Sequence, residues 1–345
     1  MDPVEAHLGR RRLLKGSLVA TASLLLGGGY LALHKMENDA ASMVMQLGWL
    51  PGSLQVGEIV AKRLGYYREE GIELRIAGGG PSIDGVSVVA SGSATIGQIS
   101  SSPSIMLAVS QRIPIQCFAT AFQKHPYCYF SLPSKPARSI SDLVNKRVGI
   151  PSTAGVLLKA VLAKANLSED SVEVVPVGAD MTPLLTGQVD VISGWSTSTT
   201  ALRVLGPDRV DLPLWDTGVH LYALPYYTTV KNLQTEFDSI ARFLRATARG
   251  WIYAKGHMDE AADLLVQEYP NLNRQDERVS IEAVLGFAFT ERSMAQGWGT
   301  MDADVWQNQI STYASLGQFT NHVPSVDEVM TMRVLNATRA YRMRM

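Results

Sequence analysis

From residue 43 onward, short apolar runs alternate with segments whose apolar positions recur at helical spacing. That is the pattern of parallel strands covered by helices. Residues 43–48 predict a first strand, and Val56, Ile59, Val60 and Leu64 share one face of a helix behind it. Strands at 72–76 and 94–99 follow, separated by a helix over about 83–91. Pro103 opens the next helix, with Ser102 as its expected cap. Residues 113–120 and 127–132 read as strands flanking 122–126. After a turn-rich stretch at 133–141 the rhythm repeats: strand 147–150, helix 156–165, strand 172–177, helix 181–186 and strand 189–193. Beyond about 221–227 the chain becomes mainly helical, and the stripe Phe237, Ile240, Leu244, Ala248 and Trp251 is read as core. The expected organisation is a leader over 1–42, a first α/β lobe over 43–130, a second over 131–222, and a return to the first lobe with C-terminal helices over 223–345.

The leader has its own pattern. Arg10, Arg11, Arg12 and Lys15 precede an uncharged, Leu- and Ala-rich stretch at 16–33, a basic n-region with an apolar h-region behind it. The paired arginines followed by two leucines and a lysine resemble a twin-arginine export signal, which implies the twin-arginine export machinery as a partner and a periplasmic body. As a helix the stretch would reach roughly 27 Å, close to the apolar thickness of a bilayer, so an uncleaved membrane tether is the alternative. Ala40, Ala41 and Ser42 supply small residues for cleavage, and no cysteine directly follows the h-region to carry a lipid.

Composition narrows the function. The chain has 345 residues, 46% hydrophobic and 18% charged, which excludes a disordered, collagenous or disulfide-scaffold protein. A formal charge of -1 supplies no basic stripe for nucleic acid. Cys117 and Cys128 form no metal-ligand spacing; they are read as two thiols, with a bridge left open. Hydrolase, zincin and phosphate-loop motifs are absent, and His125, His220, His257 and His322 are scattered. No catalytic residue, metal or cofactor is expected.

Small polar, glycine and aromatic residues instead collect after predicted strands, where open α/β sheets present their ligand crevice. Trp49 begins such a segment, with Gln55 close behind, and Gly78, Gly79 and Gly80 form another. Ser100 and Ser101 lie at a strand-to-helix junction, as do Thr153 and Asp180 in the second unit, and Trp195 follows its last predicted strand. Trp49 and Trp195 are expected to clamp a flat solute, each ring adding about 0.5–1.5 kcal/mol beyond its buried area. Ser100, Ser101, Thr153 and Asp180 would bond the solute's polar edge, with Gln55, Gln123 and Tyr222 as lesser candidates. The alternatives remain that Trp49 plugs a strand end and that the glycine cluster is a plain turn.

Several segments together resemble the SsuA/THI5-like (NMT1) family of solute-binding proteins that serve ABC importers. They are Gly48-Trp49-Leu50-Pro51, the run from Val60-Ala61-Lys62 through Gly65-Tyr66-Tyr67 to Gly71-Ile72-Glu73-Leu74, and Gly79-Gly80-Pro81. Ser141-Asp142-Leu143, Lys146-Arg147-Val148-Gly149, Leu185-Thr186-Gly187-Gln188-Val189-Asp190, Arg242-Phe243-Leu244-Arg245-Ala246 and Gly250-Trp251 complete the set. The resemblance implies the type II periplasmic binding protein fold, two α/β lobes joined by hinge strands, and an ABC transporter permease as partner. Its ligands include thiamine pyrimidine precursors, alkanesulfonates and nitrate, and the two tryptophans favour a planar nitrogen heterocycle. The family name also covers a fungal pyrimidine synthase that uses pyridoxal phosphate, iron, its own histidine and a Cys-Cys-Cys-Phe-Cys motif. Here only Cys117 and Cys128 stand near that place, widely spaced, so the synthase is an alternative reading, beside a sulfonate- or nitrate-type solute-binding protein.

Overall fold

A computed structural model describes residues 40–80, 83–151 and 154–343. Residues 1–39, with the arginine pair, and Thr153 lie outside those residues, whereas Ala41 and Ser42, expected at the end of the leader, begin the first strand. Among the described residues no helix is long and apolar enough to cross a membrane.

The predicted alternation folds into two five-stranded sheets. The first has the order β2-β1-β3-β10-β4, where β1 is Ala41–Leu47, β2 Ile72–Ala77, β3 Ile96–Gln98, β4 Ile115–Phe122 and β10 Ala223–Thr229. β1 runs parallel to β2 and β3, and only β10 is reversed, antiparallel to both β3 and β4. The second has the order β7-β6-β8-β5-β9, where β5 is Tyr127–Ser131, β6 Arg147–Ile150, β7 Glu173–Pro176, β8 Val191–Trp195 and β9 Val210–Pro213. Here β5 is the reversed strand, lying between β8 and β9.

Strand β5, expected with the first lobe, is therefore an inner strand of the second sheet. Its alternation explains the placement, since successive side chains point to opposite faces. Tyr127 and Tyr129 pack into the large core, whereas Cys128 and Phe130 fill a smaller cluster with Met181, Leu184, Ile192, Leu202 and Leu205. Two apolar faces suit a strand buried on both sides. The cysteines stand on β4 and β5, in different sheets, and both are buried free thiols.

The large core centres on aromatic rings. Trp251 stacks on Trp298 with centroids 5.5 Å apart, and Phe122 meets Trp251 edge-on at 6.1 Å. Trp251 lies on the Phe237–Gly256 helix, which crosses the Val56–Arg63 helix at two glycines. A Cβ on Gly57 would sit 2.1 Å from the Trp251 ring, and one on Gly250 would sit 2.0 Å from the Gly57 carbonyl oxygen. The missing side chains let the two helices approach closely, which accounts for Gly250-Trp251 in the sequence.

Candidate functional site: facing sheet edges

Every forward strand of the first sheet ends on one edge. Leu47 pairs with Gln98, and at the start of the reversed strand Ala223 pairs with Phe122 and bridges to Ser101. The second sheet repeats the arrangement, with Ile150 opposite Pro176, Tyr127 opposite Trp195 and Cys128 opposite Pro213. The chain leaves the first edge at Phe122 and enters the second at Tyr127. Five residue steps span at most about 18 Å, so the two edges face one another. Residues 214–222 return from the second edge to the first. The crossings also touch each other: Lys124 Nζ lies 5.5 Å from the Trp215 ring, which stacks on His220 at 4.2 Å.

Trp49 follows β1 in a loop, with 42% of its surface exposed. Its carbonyl accepts the Gly79 N–H at 3.0 Å, which ties the loops after β1 and β2 together. A Cβ on Gly79 would lie 2.2 Å from the Leu47 carbonyl oxygen, so this position requires glycine. Ser100 accepts the Leu224 N–H through its carbonyl at 3.2 Å. Leu224 has φ 52°, a left-handed conformation costly for leucine, placed where β10 enters the edge. Ser101 occupies the cap position of the Ser102–Ser110 helix without making a side-chain cap bond. Ser102, the expected cap, is instead the first helical residue; its hydroxyl donates to Gln309 Oε1 at 2.6 Å and accepts the Tyr222 N–H at 3.1 Å.

Gln123 and Tyr222 are drawn to the same segment, residues 299–302. The Gln123 amide donates to the carbonyls of Thr120 and Thr300, and the Tyr222 hydroxyl accepts the Asp302 N–H at 2.9 Å. Burial pushes the Tyr222 phenol above its ordinary range. Trp195 packs on the same crossing through His125, edge to face at 5.1 Å. Gln55 turns inward, and its amide donates to Gln98 Oε1 at 2.9 Å. Asp180 is exposed and accepts the Thr182 N–H at 3.0 Å, a local turn bond that lowers its pKa.

His125 is the residue that sequence reasoning passed over. It is 2% exposed, and burial drives its pKa down to about 3. Its Nδ1 accepts the Tyr127 N–H at 3.1 Å, so the neutral ring carries its proton on Nε2. That Nε2 has no partner among the described residues, and neither have Gln123 Oε1, Ser101 Oγ and Gln309 Nε2. Buried polar atoms are nearly always bonded. These four atoms supply two donors, one acceptor and one hydroxyl, and all of the groups are uncharged.

One helix, Arg274–Ala288, holds both sides. Glu277 accepts the Ser53 N–H at 2.9 Å beside the Trp49 loop. Asp276 pairs with Arg203 at 2.7 Å, and Ser280 bonds Thr199 at 2.9 Å, both just beyond Trp195. Burial raises the Glu277 pKa.

Comparison with known proteins agrees on the architecture. A family model described as NMT1/THI5 like matches residues 55–261. A riboflavin-binding protein, RibY, of Chloroflexus aurantiacus is 26% identical over 283 residues, covering 76% of this chain and 78% of its own. A formylaminopyrimidine-binding protein of Halalkalibacterium halodurans is 25% identical, covering 84% and 91%. A 4-amino-5-hydroxymethyl-2-methylpyrimidine phosphate synthase of Legionella pneumophila is 23% identical, covering 85% and 90%. Among solved structures, the alkanesulfonate-binding protein SsuA of Xanthomonas axonopodis, bound to MOPS, superposes with a TM-score of 0.62 at 14% identity, covering 84% of this chain and 98% of that one. At that identity the likeness concerns the fold, which is that of the periplasmic binding proteins.

Proposed function

The chain belongs to the NMT1/THI5-like family, and on that premise we propose that it is the solute-binding component of an ABC importer, taking an uncharged planar nitrogen heterocycle between its two lobes without altering it. The observation that carries this reading is the set of unsatisfied, uncharged polar atoms on Ser101, Gln123, His125 and Gln309. A sulfonate or nitrate is best held by cations and charge-assisted donors. His125 with a pKa near 3 is a neutral donor at every physiological pH. A heterocycle that presents both acceptors and donors matches such a set, and leaving any of these atoms unpaired costs about 1–3 kcal/mol. Two relatives are named for binding riboflavin and formylaminopyrimidine, both nitrogen heterocycles, which supports the same chemistry. Trp49 and Trp195 would flank the ring, with Ser100, Gln123 and the Thr153 and Asp180 segments around its edge.

The reading also places the body in the periplasm, exported by the twin-arginine-type leader, with an ABC permease as its partner. A thermal-shift screen with riboflavin, substituted pyrimidines, alkanesulfonates and nitrate tests it. A heterocycle at a hundred times its dissociation constant should stabilise the folded chain by about 2.7 kcal/mol. Stabilisation by a sulfonate or nitrate alone would refute it.

A second reading, a thiamine pyrimidine synthase, is favoured by the Legionella relative. It requires pyridoxal phosphate, so visible or near-ultraviolet cofactor absorbance that follows the purified chain would support it, and a spectrum of protein alone would not.

A further inference from the structure

The Val56–Arg63 helix buries a carboxylic acid in the middle of the first lobe. Glu58 is fully buried, and its Oε1 accepts two bonds, from the Tyr226 hydroxyl at 2.5 Å and from Gln98 Nε2 at 2.7 Å. Gln98 Oε1 accepts from Gln55 Nε2 at 2.9 Å, and Gln55 Oε1 accepts the Gly52 N–H at 3.2 Å. Donation thus runs from the Gly52 N–H of the Trp49 loop through Gln55 and Gln98 to Glu58, where the Tyr226 hydroxyl of the core strand β10 donates from the other side. Each amide uses its donor on one neighbour and its acceptor on the other, which fixes how both side chains are flipped. No apolar packing would require this arrangement, and burying a carboxyl is costly without a purpose for it.

We propose that Glu58 is a positioning residue for solute binding, setting the Trp49 loop through Gln98 and Gln55. Gln55 then acts on the loop rather than on the solute. The loop is held on its other side by Glu277 at Ser53, so Glu58 and Glu277 between them fix the two backbone amides Gly52 and Ser53. This role rests on the heterocycle-binding reading for its effect on affinity, but its effect on the loop can be measured without any solute.

The test compares hydrogen exchange at the Gly52 amide with riboflavin and pyrimidine affinity in the full chain. Gln98→Met preserves volume and cuts the chain of bonds; Gly52 exchange should rise about tenfold, the equivalent of one lost hydrogen bond. Glu58→Gln keeps an Oε1 acceptor for both donors, so its exchange should stay within about twofold of the parent. Glu58→Leu should match Gln98→Met. If Gln98→Met does not fold, Tyr226→Phe removes one hydroxyl from the far end and should raise Gly52 exchange by about threefold. Unchanged Gly52 exchange in the folded Gln98→Met or Tyr226→Phe protein overturns the proposal, as does loss of protection in Glu58→Gln equal to that in Glu58→Leu. Faster exchange in a protein whose parent binds none of these heterocycles would uphold the positioning role and refute the solute reading instead.

Discussion

Replacing Glu58 by glutamine should change how stability depends on pH. The carboxyl titrates near 7 in the folded chain against an ordinary value of 4.5, because burial opposes its charge more than the Tyr226 and Gln98 bonds favour it. The titratable groups facing it are Tyr67, Tyr226 and Tyr269, all phenols pushed upward by burial. Below pH 4.5 the acid is protonated in both folded and unfolded chains and contributes nothing to pH dependence. Between 4.5 and 7 the unfolded chain ionises while the folded one does not, so stability falls as pH rises. Above 7 both are ionised and the loss levels off, at about 3 kcal/mol. Urea unfolding of the parent and Glu58→Gln across pH 4 to 8 measures it, since groups common to both cancel in the difference. The difference in unfolding free energy should shift by about 3 kcal/mol in favour of the glutamine protein and then stay flat. A difference that does not change with pH would refute the reasoning.

Other outcomes follow from the same geometry. Gly57→Ala puts a methyl group into the Trp251 ring, so it should destabilise the fold by about 1–3 kcal/mol or more, read by denaturant unfolding. Trp49→Ala should leave stability within about 1 kcal/mol, because 42% of the Trp49 surface already faces solvent, yet weaken heterocycle binding about tenfold by titration calorimetry. His125→Ala should weaken binding by a similar factor, and because His125 is neutral down to about pH 3, parent affinity should be flat from pH 5 to 8. An affinity that rises on acidification through pH 6.5 would contradict its role as a neutral donor.

Much of the fold was legible because strand and helix periods differ along the chain. β6 falls at the residues its apolar run predicts, and β1, β2 and β8 lie within two residues at either end. β9 was missed because a four-residue strand ending in proline carries too little alternation to stand out. β10 was read only as the border of the helical region, although it is an inner strand of the first sheet. Its two faces are both buried, so no polar alternation marks it. Loop placement set the candidates at strand ends, but it could not show which way a side chain turns. Gln55 faces Gln98, and Ser102 rather than Ser101 is engaged by the helix beside it. His125 was invisible as a site residue, since a lone histidine acquires meaning only from its Tyr127 bond, its Trp195 neighbour and its unpaired Nε2.

The central claim is that the facing edges hold a solute and return it unchanged. Equilibrating the purified chain with riboflavin and a panel of pyrimidines, then releasing and weighing what is bound by mass spectrometry, tests it directly. One heterocycle per chain, recovered at its original mass, is the predicted result. A bound species of altered mass, or occupancy by sulfonate or nitrate with every heterocycle left in solution, would contradict the account.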